Sequence, residues 1–449
     1  MKTIMKRVLS YVLALVLFLS CFSFLSSAYT GNETLKGAYI GAFPMGVAVS
    51  AFQVEDDKEA SFIKKHFNSI VAENEMKMHM LQPKEGEFNF GPADKLVNFA
   101  VENNMLIRGH TLIWHESIPD WFCKNTDGTE VSKEVLLQRM ETHIKTVVSR
   151  YKGKVYCWDV VNEPIAYGEA TYRDSPFYRI IGPEFINYAF KWAREADPNC
   201  KLFLNETGVD STSQFYKIRD LMTRLVKEGV PVDGFGIQGH YDIKTFDKVS
   251  FQRSIDAFSA LGLEVQITEL DLSYYSFEDK ETKYISPPEA STKEFENQYK
   301  RIFRVLYRNR EKITGVTFWG VDDAHTWLES YPIKRTDWPL LFDKDKNPKP
   351  IFYDLVRHNF RISVDKIKLN RKTVKIKLKN KKKKTFSLVK EITPFDASNK
   401  KVTWKSSNKK VAKVSKYGKV TLLKKGKATI TATTKEGKKK AKCKFIVSK

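Results

Sequence analysis

The segment Val155-Tyr-Cys-Trp-Asp-Val-Val-Asn-Glu-Pro164 is an apolar, strand-like run that ends in an asparagine and a glutamate. Seven further short apolar runs recur between residues 43 and 321. Several are nearly continuous in Val, Ile, Leu and Phe, which is typical of strands buried on both faces. We therefore predict eight strands, at residues 43–50, 69–76, 106–114, 155–161, 201–206, 234–240, 264–270 and 315–321.

Longer stretches with helical spacing separate these runs, for example at residues 134–151, 183–196, 214–228 and 293–308. Strand followed by helix, repeated eight times over roughly 300 residues, predicts a (β/α)₈ TIM barrel of the α/β class. Periodicity alone does not show that the sheet closes on itself, so a doubly wound open sheet is the alternative.

The C-terminal part of the chain has a different composition. Residues 361–449 hold 31 Lys/Arg and 4 Asp/Glu, whereas residues 1–360 hold 45 and 49. Lysine alternates there with Val, Ile, Leu and Thr, which predicts a small all-β module. Because the larger part has no basic excess, a nucleic-acid partner is not expected for the protein.

The first residues have the pattern of a secretory signal. A basic start precedes an apolar run and small residues suited to cleavage: Lys2, Lys6 and Arg7, then residues 8–25, then Ser26-Ser27-Ala28. We predict a signal peptide over residues 1–28 and a secreted protein with no membrane span after cleavage. A membrane anchor and lipidation at Cys21 are the alternatives.

Polar and aromatic side chains interrupt the apolar runs near their carboxyl ends. In a barrel of parallel strands these ends share one rim, which is where such barrels place their sites. Residues far apart in the sequence therefore converge on one cleft. They are Glu73, Asn74 and Lys77, His110 and Trp114, Asn162 and Glu163, Gln238 and His240, Glu269 and Asp271, and Trp319.

Glu163 and Glu269 each close a strongly apolar strand. A carboxylate in that position loses solvation, so we expect it either to have a charged or hydrogen-bonding partner or to serve a function. Two convergent carboxylates suit glycoside hydrolysis, in which one acid protonates the leaving oxygen while the other attacks C1 or activates water. His240, oriented by Asp271, is a candidate donor that keeps one carboxylate ionised. The alternative is that either glutamate only pairs with an Arg or Lys at the rim.

Three tryptophans are candidates for stacking on sugar rings, and two histidines for binding sugar hydroxyls. They are Trp114, Trp319 and Trp327, and His110 and His325. Core packing is the alternative for any single tryptophan. No set of His, Asp and Glu has the spacing of a metal site, and the sequence has no Gly-rich phosphate loop. Neither a metal nor a cofactor is therefore expected.

Residues 36–360 closely resemble glycoside hydrolase family 10, the endo-β-1,4-xylanases. The resemblance rests on eight motifs in the right order along the chain. They are Gly46-Val-Ala-Val-Ser50, Ala72-Glu-Asn-Glu-Met-Lys77, Arg108-Gly-His-Thr-Leu-Ile-Trp-His115, Trp158-Asp-Val-Val-Asn-Glu-Pro164, Gly236-Ile-Gln-Gly-His240, Ile267-Thr-Glu-Leu-Asp271, Phe318-Trp-Gly-Val321 and Pro339-Leu-Leu-Phe-Asp343.

The resemblance implies a retaining reaction on xylan, with roles for both carboxylates. Glu163 would be the general acid/base and Glu269 the nucleophile. Asn162 would hydrogen-bond the 2-hydroxyl of the sugar at the cleavage point. Gln238 and His240 would hold the nucleophile.

Further groups follow from the same resemblance. Asp271 would stand behind His240. The residues that bind the glycone side would be Glu73, Asn74, Lys77, His110 and Trp114. The rings of Trp319 and Trp327 would border the sugar. The chain departs from the usual Asn-Asp-Tyr-Asn after the fifth strand, where it reads Asn205-Glu206-Thr207-Gly208.

The C-terminal module resembles the bacterial Ig-like domain of group 2. Two of the matching segments are Val402-Thr-Trp-Lys-Ser-Ser-Asn408 and Gly426-Lys-Ala-Thr-Ile-Thr-Ala432. A small all-β Ig-like sandwich is implied. Its lysines would bind anionic cell-wall polymers or acidic side groups on xylan, unless they form only a solvated face.

We expect a monomeric bacterial endo-β-1,4-xylanase that is secreted and attached to the cell wall through its tail. There are two alternatives. One is a β-1,4-glucanase on the same barrel, and the other is a carbohydrate-binding protein whose barrel has lost its catalytic activity. The predicted divisions are a signal peptide over 1–28, a catalytic barrel over 29–360 and a Lys-rich Ig-like domain over 361–449.

Overall fold

The computed structural model describes residues 33–377 and 384–448. The predicted signal peptide over residues 1–28, including Cys21, lies outside the described residues. No helix within the described ranges is both long and apolar enough to cross a bilayer. The described part of the chain divides into two compact units: the first contains residues 33–295 and 305–358, and the second contains residues 296–304 and the described residues from 359 onward.

Parallel strands form a closed barrel in the first unit. The sixth strand consists of two pieces, β6 and β7, and the last strand, β9, pairs with both β8 and β1. This closure confirms the predicted barrel and excludes the open sheet. The strands are β1 Met45–Val49, β2 Ser69–Ala72, β3 Leu106–Trp114, β4 Cys157–Asn162, β5 Lys201–Glu206, β6 Gly234–Ile237, β7 His240–Asp242, β8 Glu264–Ser273 and β9 Ile313–Phe318.

Helices follow the strands and cover the barrel with one apolar face each. Phe185–Ala196, for example, buries residues at helical spacing along one stripe. The helix predicted at 293–308 begins four residues earlier, after the N-cap Pro288. The longer helices are Asp57–His66, Gly91–Glu102, Lys133–Arg150, Phe185–Ala196, Thr212–Lys227, Lys248–Ala260 and Glu289–Arg308, and the shorter ones are Leu35–Ala38, Ala51–Glu55, Met78–Leu81, Asp120–Cys123, Pro176–Ile181 and Pro350–Val356.

A buried ion pair lies inside the barrel beneath the rim. The Arg108 guanidinium is 1% exposed and donates to both carboxylate oxygens of Asp159, one of them at 2.6 Å. Its Nε donates to the side-chain oxygen of Gln266 across the barrel at 3.3 Å. Because both charges are fully buried, removing either partner would leave the other uncompensated. This pair links three barrel strands just below the candidate site.

From Asn359 onward the second unit is built from β-strands, as predicted. They are β10 Lys366–Leu369, β11 Thr373–Lys377, β12 Lys384–Ser387, β13 Lys390–Thr393, β14 Val402–Ser406, β15 Ala412–Val414, β16 Lys419–Leu422, β17 Gly426–Thr434 and β18 Lys440–Ser448. A four-stranded sheet has the order β11-β18-β17-β14, and a three-stranded sheet has the order β12-β16-β15. Their inner faces share one apolar core that contains Val420, Ile430 and Phe445.

Candidate active site

The Glu269 carboxylate lies at the carboxyl half of β8 and is almost fully buried. Its Oε1 accepts a hydrogen bond from Asn205 Nδ2 at 2.6 Å, and its Oε2 lies 3.2 Å from His240 Nε2. Burial alone would raise the pKa of Glu269, but these donors outweigh it and lower the pKa to about 2. The carboxylate is therefore an ionised group held away from water.

His240 is held between two carboxylates. Its Nδ1 lies 2.9 Å from Asp271 Oδ2, and its Nε2 faces Glu269. Burial would lower the pKa of His240, but the charge and the hydrogen bond of Asp271, with those of Glu269, raise it to about 10. The imidazole is thus protonated at neutral pH and donates from both nitrogens.

Aromatic rings surround this histidine. Trp327 Nε1 donates to the same Asp271 oxygen at 2.8 Å, and the Trp327 ring centroid lies 4.9 Å from that of His240. Trp319, which is 6% exposed, meets the His240 ring edge-on at 6.4 Å. Tyr331 stacks on Trp327 at 5.0 Å. The charged centre therefore has an aromatic wall on one side.

Glu163 follows β4 in a left-handed backbone conformation, with φ of 54°. Few residues other than glycine adopt this conformation, and it clusters at functional sites. The Glu163 N–H donates to the carbonyl of Asn205 at 3.0 Å, and Arg173 Nε donates to the Glu163 carbonyl at 3.1 Å. These bonds hold the strained turn that directs the Glu163 side chain into the cleft.

Gln238 contacts Glu163 rather than the predicted partner. Its Nε2 donates to Glu163 Oε1 at 2.9 Å and lies 3.4 Å from Asn162 Oδ1. The expectation that the Gln238 side chain holds Glu269 is therefore wrong. Both oxygens of Glu269 are already occupied, by Asn205 and His240, and only the Gln238 carbonyl meets that residue, at its backbone N–H.

Asn205 connects the surroundings of Glu269 with those of Glu163. Its role in the site was not predicted from the sequence. It is fully buried at the end of β5. Its Nδ2 donates to Asn162 Oδ1 at 2.8 Å as well as to Glu269, while its Oδ1 accepts from Thr268 Oγ1 at 2.6 Å. A polar residue at the end of an apolar strand was the available signal. Arg173, in the loop after β4, gave no such signal.

The side chains predicted for the glycone side lie together at the ends of β2 and β3. Lys77 Nζ donates to Asn74 Oδ1 at 2.9 Å and lies 5.0 Å from the centroid of the Trp114 ring. Burial lowers the pKa of Lys77, against the attraction of Glu269, Glu73 and Glu163. Burial also raises the pKa of Glu73. The lysine is therefore a partly desolvated cation within the field of the carboxylates.

His110 connects this group to the barrel interior. Its Nδ1 lies 3.0 Å from Asp159 Oδ2, and its ring meets Trp319 edge-on at 5.2 Å. Burial lowers the pKa of His110 to about 3, so the imidazole is neutral. Two nearby histidines, His110 and His240, thus have opposite protonation states because only His240 lies between two carboxylates.

His325 lies in an acidic cluster with Glu59 and Asp322 whose spacing resembles a metal site. Lys346 already forms ion pairs with both acids of that cluster, and His325 Nδ1 lies 2.8 Å from Asp322. The Lys346 ammonium thus already balances the charge of both acids. The arrangement explains the cluster as a set of ion pairs.

Comparison with known proteins decides the family. Residues 34–358 match Glycosyl hydrolase family 10, and residues 369–445 match the Bacterial Ig-like domain (group 2). The chain belongs to glycosyl hydrolase family 10. A Beta-1,4-xylanase of Dictyoglomus thermophilum is 42% identical over 352 residues, which cover 77% of this chain and 98% of the relative.

Two further relatives of this family 10 hydrolase are similar to it over the same region of the chain. An Endo-1,4-beta-xylanase of Geobacillus stearothermophilus is 40% identical over 327 residues, covering 72% of this chain and 98% of the relative. The crystal structure of xylanase XynB from Paenibacillus barcinonensis, complexed with a conduramine derivative, superposes with a TM-score of 0.71. It is 38% identical and covers 73% of this chain and 99% of its own.

Glu206 is a buried carboxyl that lies near Glu163 in this family 10 hydrolase. It is fully buried and accepts from the backbone N–H of Ile165 at 3.0 Å and of Thr207 at 2.9 Å. Burial, followed by the charge of Glu163, raises the pKa of Glu206 to about 8. The residue ties the loop after β4 to the end of β5, and so supports the turn at Glu163.

Asn205→Ala should lower kcat on an aryl β-glycoside by about 10- to 100-fold, because Glu269 loses a charge-assisted hydrogen bond. The measurement is steady-state kinetics, with circular dichroism to show that the fold is retained. Asn199→Ala, at an exposed asparagine, is the control and should match the parent. A kcat for Asn205→Ala within twofold of the control would contradict the assignment of Asn205.

Glu206 should make the folded protein less stable as the pH rises. Between the ordinary pKa of 4.5 and the folded value of about 8, the folded chain binds more protons than the unfolded chain. The free energy of unfolding contributed by Glu206 therefore falls through this window, by up to about 1.4 kcal/mol per pH unit. Denaturant unfolding at several pH values should show a smaller fall in the free energy of unfolding for Glu206→Gln than for the parent. Parallel pH profiles of the two proteins would show that Glu206 does not titrate in this window.

Proposed function

We propose that this chain is a secreted endo-1,4-β-xylanase that cleaves internal bonds of xylan by double displacement with retention of configuration. The proposal rests on one observation above all: two carboxylates meet at the barrel rim in contrasting environments. Glu269 accepts from two donors that keep it ionised, and Glu163 lies on a strained turn at the mouth of β4. The named relatives are xylanases, which supports the substrate.

In the first step Glu269 attacks C1 of the sugar. The bond from C1 to the glycosidic oxygen breaks as the bond from C1 to the carboxylate oxygen forms. Glu163 transfers its proton to the departing oxygen, so the leaving chain departs as a neutral alcohol. A nucleophile must be ionised for this step, and the donors on Glu269 provide that condition.

In the second step water releases the sugar. Glu163, now ionised, takes a proton from the water as its oxygen attacks C1, and the bond from C1 to Glu269 breaks. At this stage Glu163 keeps two side-chain contacts: the Gln238 amide donates to Glu163 Oε1, and Arg173 Nη2 lies 3.4 Å from Glu163 Oε2. The same residue thus acts as acid and then as base.

Asn162 and the aromatic wall supply contacts to the sugar. Asn162 Oδ1 accepts from Asn205 and faces Gln238, which fixes its amide for the 2-hydroxyl of the sugar at the cleavage point. Trp319 and Trp327 close the space beside His240, where xylose lacks the hydroxymethyl group of glucose. This closure favours xylan over cellulose as the substrate.

The remaining parts of the proposal concern where the enzyme acts. Residues 1–28 act as a signal peptide, residues 29–360 as the catalytic barrel and residues 361–449 as a separate Ig-like domain. The enzyme is then a monomer outside the cell. The excess of lysine in the Ig-like part supports binding to anionic polymers of the cell wall.

Purified residues 29–449 should release reducing sugar from xylan much faster than from carboxymethyl cellulose. Glu269→Ala and Glu163→Ala should each lose almost all activity on xylan while keeping the fold, as checked by circular dichroism. Faster release from cellulose would keep the mechanism and overturn the substrate. Xylan cleavage by Glu269→Ala at the parent rate would overturn the assignment of the nucleophile.

Azide added with an activated aryl xyloside separates the two roles. With Glu163→Ala, azide should attack the glycosyl-enzyme and give the β-glycosyl azide, since the nucleophile is intact. With Glu269→Ala, azide should take the place of the nucleophile and give the α-glycosyl azide. The opposite pairing of variant and anomer would reverse the assignments.

A further inference from the structure

The four-stranded sheet of the Ig-like unit has two contrasting faces. Its inner face buries Val374, Ile430 and Phe445 in the core of the unit. Side chains alternate between faces along each strand. The outer face therefore receives the intervening residues, and the lysines among them are exposed. They are Lys375, Lys377, Lys405, Lys427, Lys440, Lys442 and Lys444.

Strand pairing arranges these lysines beside a column of threonines. Along β17 and β18, Thr429 lies opposite Lys444, Thr431 opposite Lys442 and Thr433 opposite Lys440. On the other side of β17, Lys405 of β14 lies opposite Thr431. Across β18, Thr373 of β11 lies opposite Lys444. We refer to this surface as the lysine–threonine face.

Opposite charge is missing from the face. The acidic residues of the C-terminal part lie elsewhere, at Asp365 before β10, Glu391 in β13, Asp396 after β13 and Glu436 in the turn before β18. Within residues 384–448 and 359–377, none of the lysines of the face has an ion pair at 4.0 Å or less. Their mutual repulsion disfavours the folded unit, and a bound polyanion would relieve it.

We propose that the lysine–threonine face binds a linear polyphosphodiester with a polyol backbone. Lysines on one face of a strand repeat about every 6.8 Å, so β18 presents a regular row of positive charges. A polymer with a charge on every repeat can engage the whole row, whereas scattered acidic side groups cannot. The proposal deepens the proposed attachment to anionic polymers and rests on it.

The chemistry of the face favours phosphate over other anions. Its cations are all lysines, which bind phosphate as point charges, and it has no arginine, whose planar fork suits paired carboxylate oxygens. Threonine hydroxyls between the lysine rows can donate to phosphate oxygens. Within the described strands the face carries no aromatic side chain, so it offers no stacking platform for nucleic-acid bases or sugar rings.

The experiment measures binding of full-length mature enzyme, residues 29–449, to immobilised poly(glycerol phosphate). The parent should bind at low salt and release as the salt rises to about 0.5 M. The quadruple variant K405Q/K440Q/K442Q/K444Q should bind at least about tenfold more weakly. The matched control K409Q/K413Q/K419Q/K424Q removes the same charge from exposed lysines off this face and should lose less than about threefold.

Equal losses in both quadruple variants would show that net charge alone drives binding, and would overturn the proposal. So would tighter binding of the parent to polygalacturonate or single-stranded DNA than to poly(glycerol phosphate). Absence of binding by the parent would overturn it as well. Xylan hydrolysis, measured in parallel, should be the same in the parent and both variants, so a failure of the proposed enzyme activity is recognised separately.

Discussion

A carboxylate that must stay ionised inside a protein constrains everything around it. Glu269 is 5% exposed, and burial favours its neutral form. The structure reverses that preference with Asn205 and His240 as donors. His240 in turn needs Asp271, whose second donor is Trp327. The charged centre, the aromatic wall and the three strands β5, β7 and β8 therefore depend on one another.

The second constraint is a backbone one. Glu163 has a left-handed backbone conformation, which costs of order 1–3 kcal/mol. Hydrogen bonds to β5 offset this strain: the Asn205 carbonyl accepts from the Glu163 N–H, and the Glu206 carboxyl accepts from the Ile165 N–H. The end of β5 thus supports both carboxylates, through the amide of Asn205 on one side and its carbonyl on the other.

The bounds of the barrel strands could be predicted from the sequence wherever the apolar runs were continuous. The strands at 106–114 and 201–206 have the predicted bounds. The strand predicted at 264–270 continues to Ser273, because polar residues at the rim remain paired to their neighbours. In the Ig-like unit, alternation predicted strands, but it does not reveal that β11 runs parallel to β18.

Side-chain partners were harder to predict than side-chain locations. The strand ends located Glu163, Glu269 and His240 correctly at one rim. They did not show that the Asn205 amide would donate to Glu269, nor that the Gln238 amide would donate to Glu163. Two amides at neighbouring strand ends have the same chemistry, and only the geometry of the closed barrel decides which carboxylate each one reaches.

The protonation state of His240 is the most direct test of how the protein keeps Glu269 ionised. Nitrogen-15 NMR of histidine-labelled enzyme, with the His240 signals assigned by their loss in His240→Asn, follows both ring nitrogens from pH 5 to pH 9. We expect both nitrogens to stay protonated up to pH 8 or higher, in line with a pKa of about 10. Titration of His240 near its ordinary value of 6.5 would contradict this expectation, because Glu269 would then lack the charged donor that keeps it ionised.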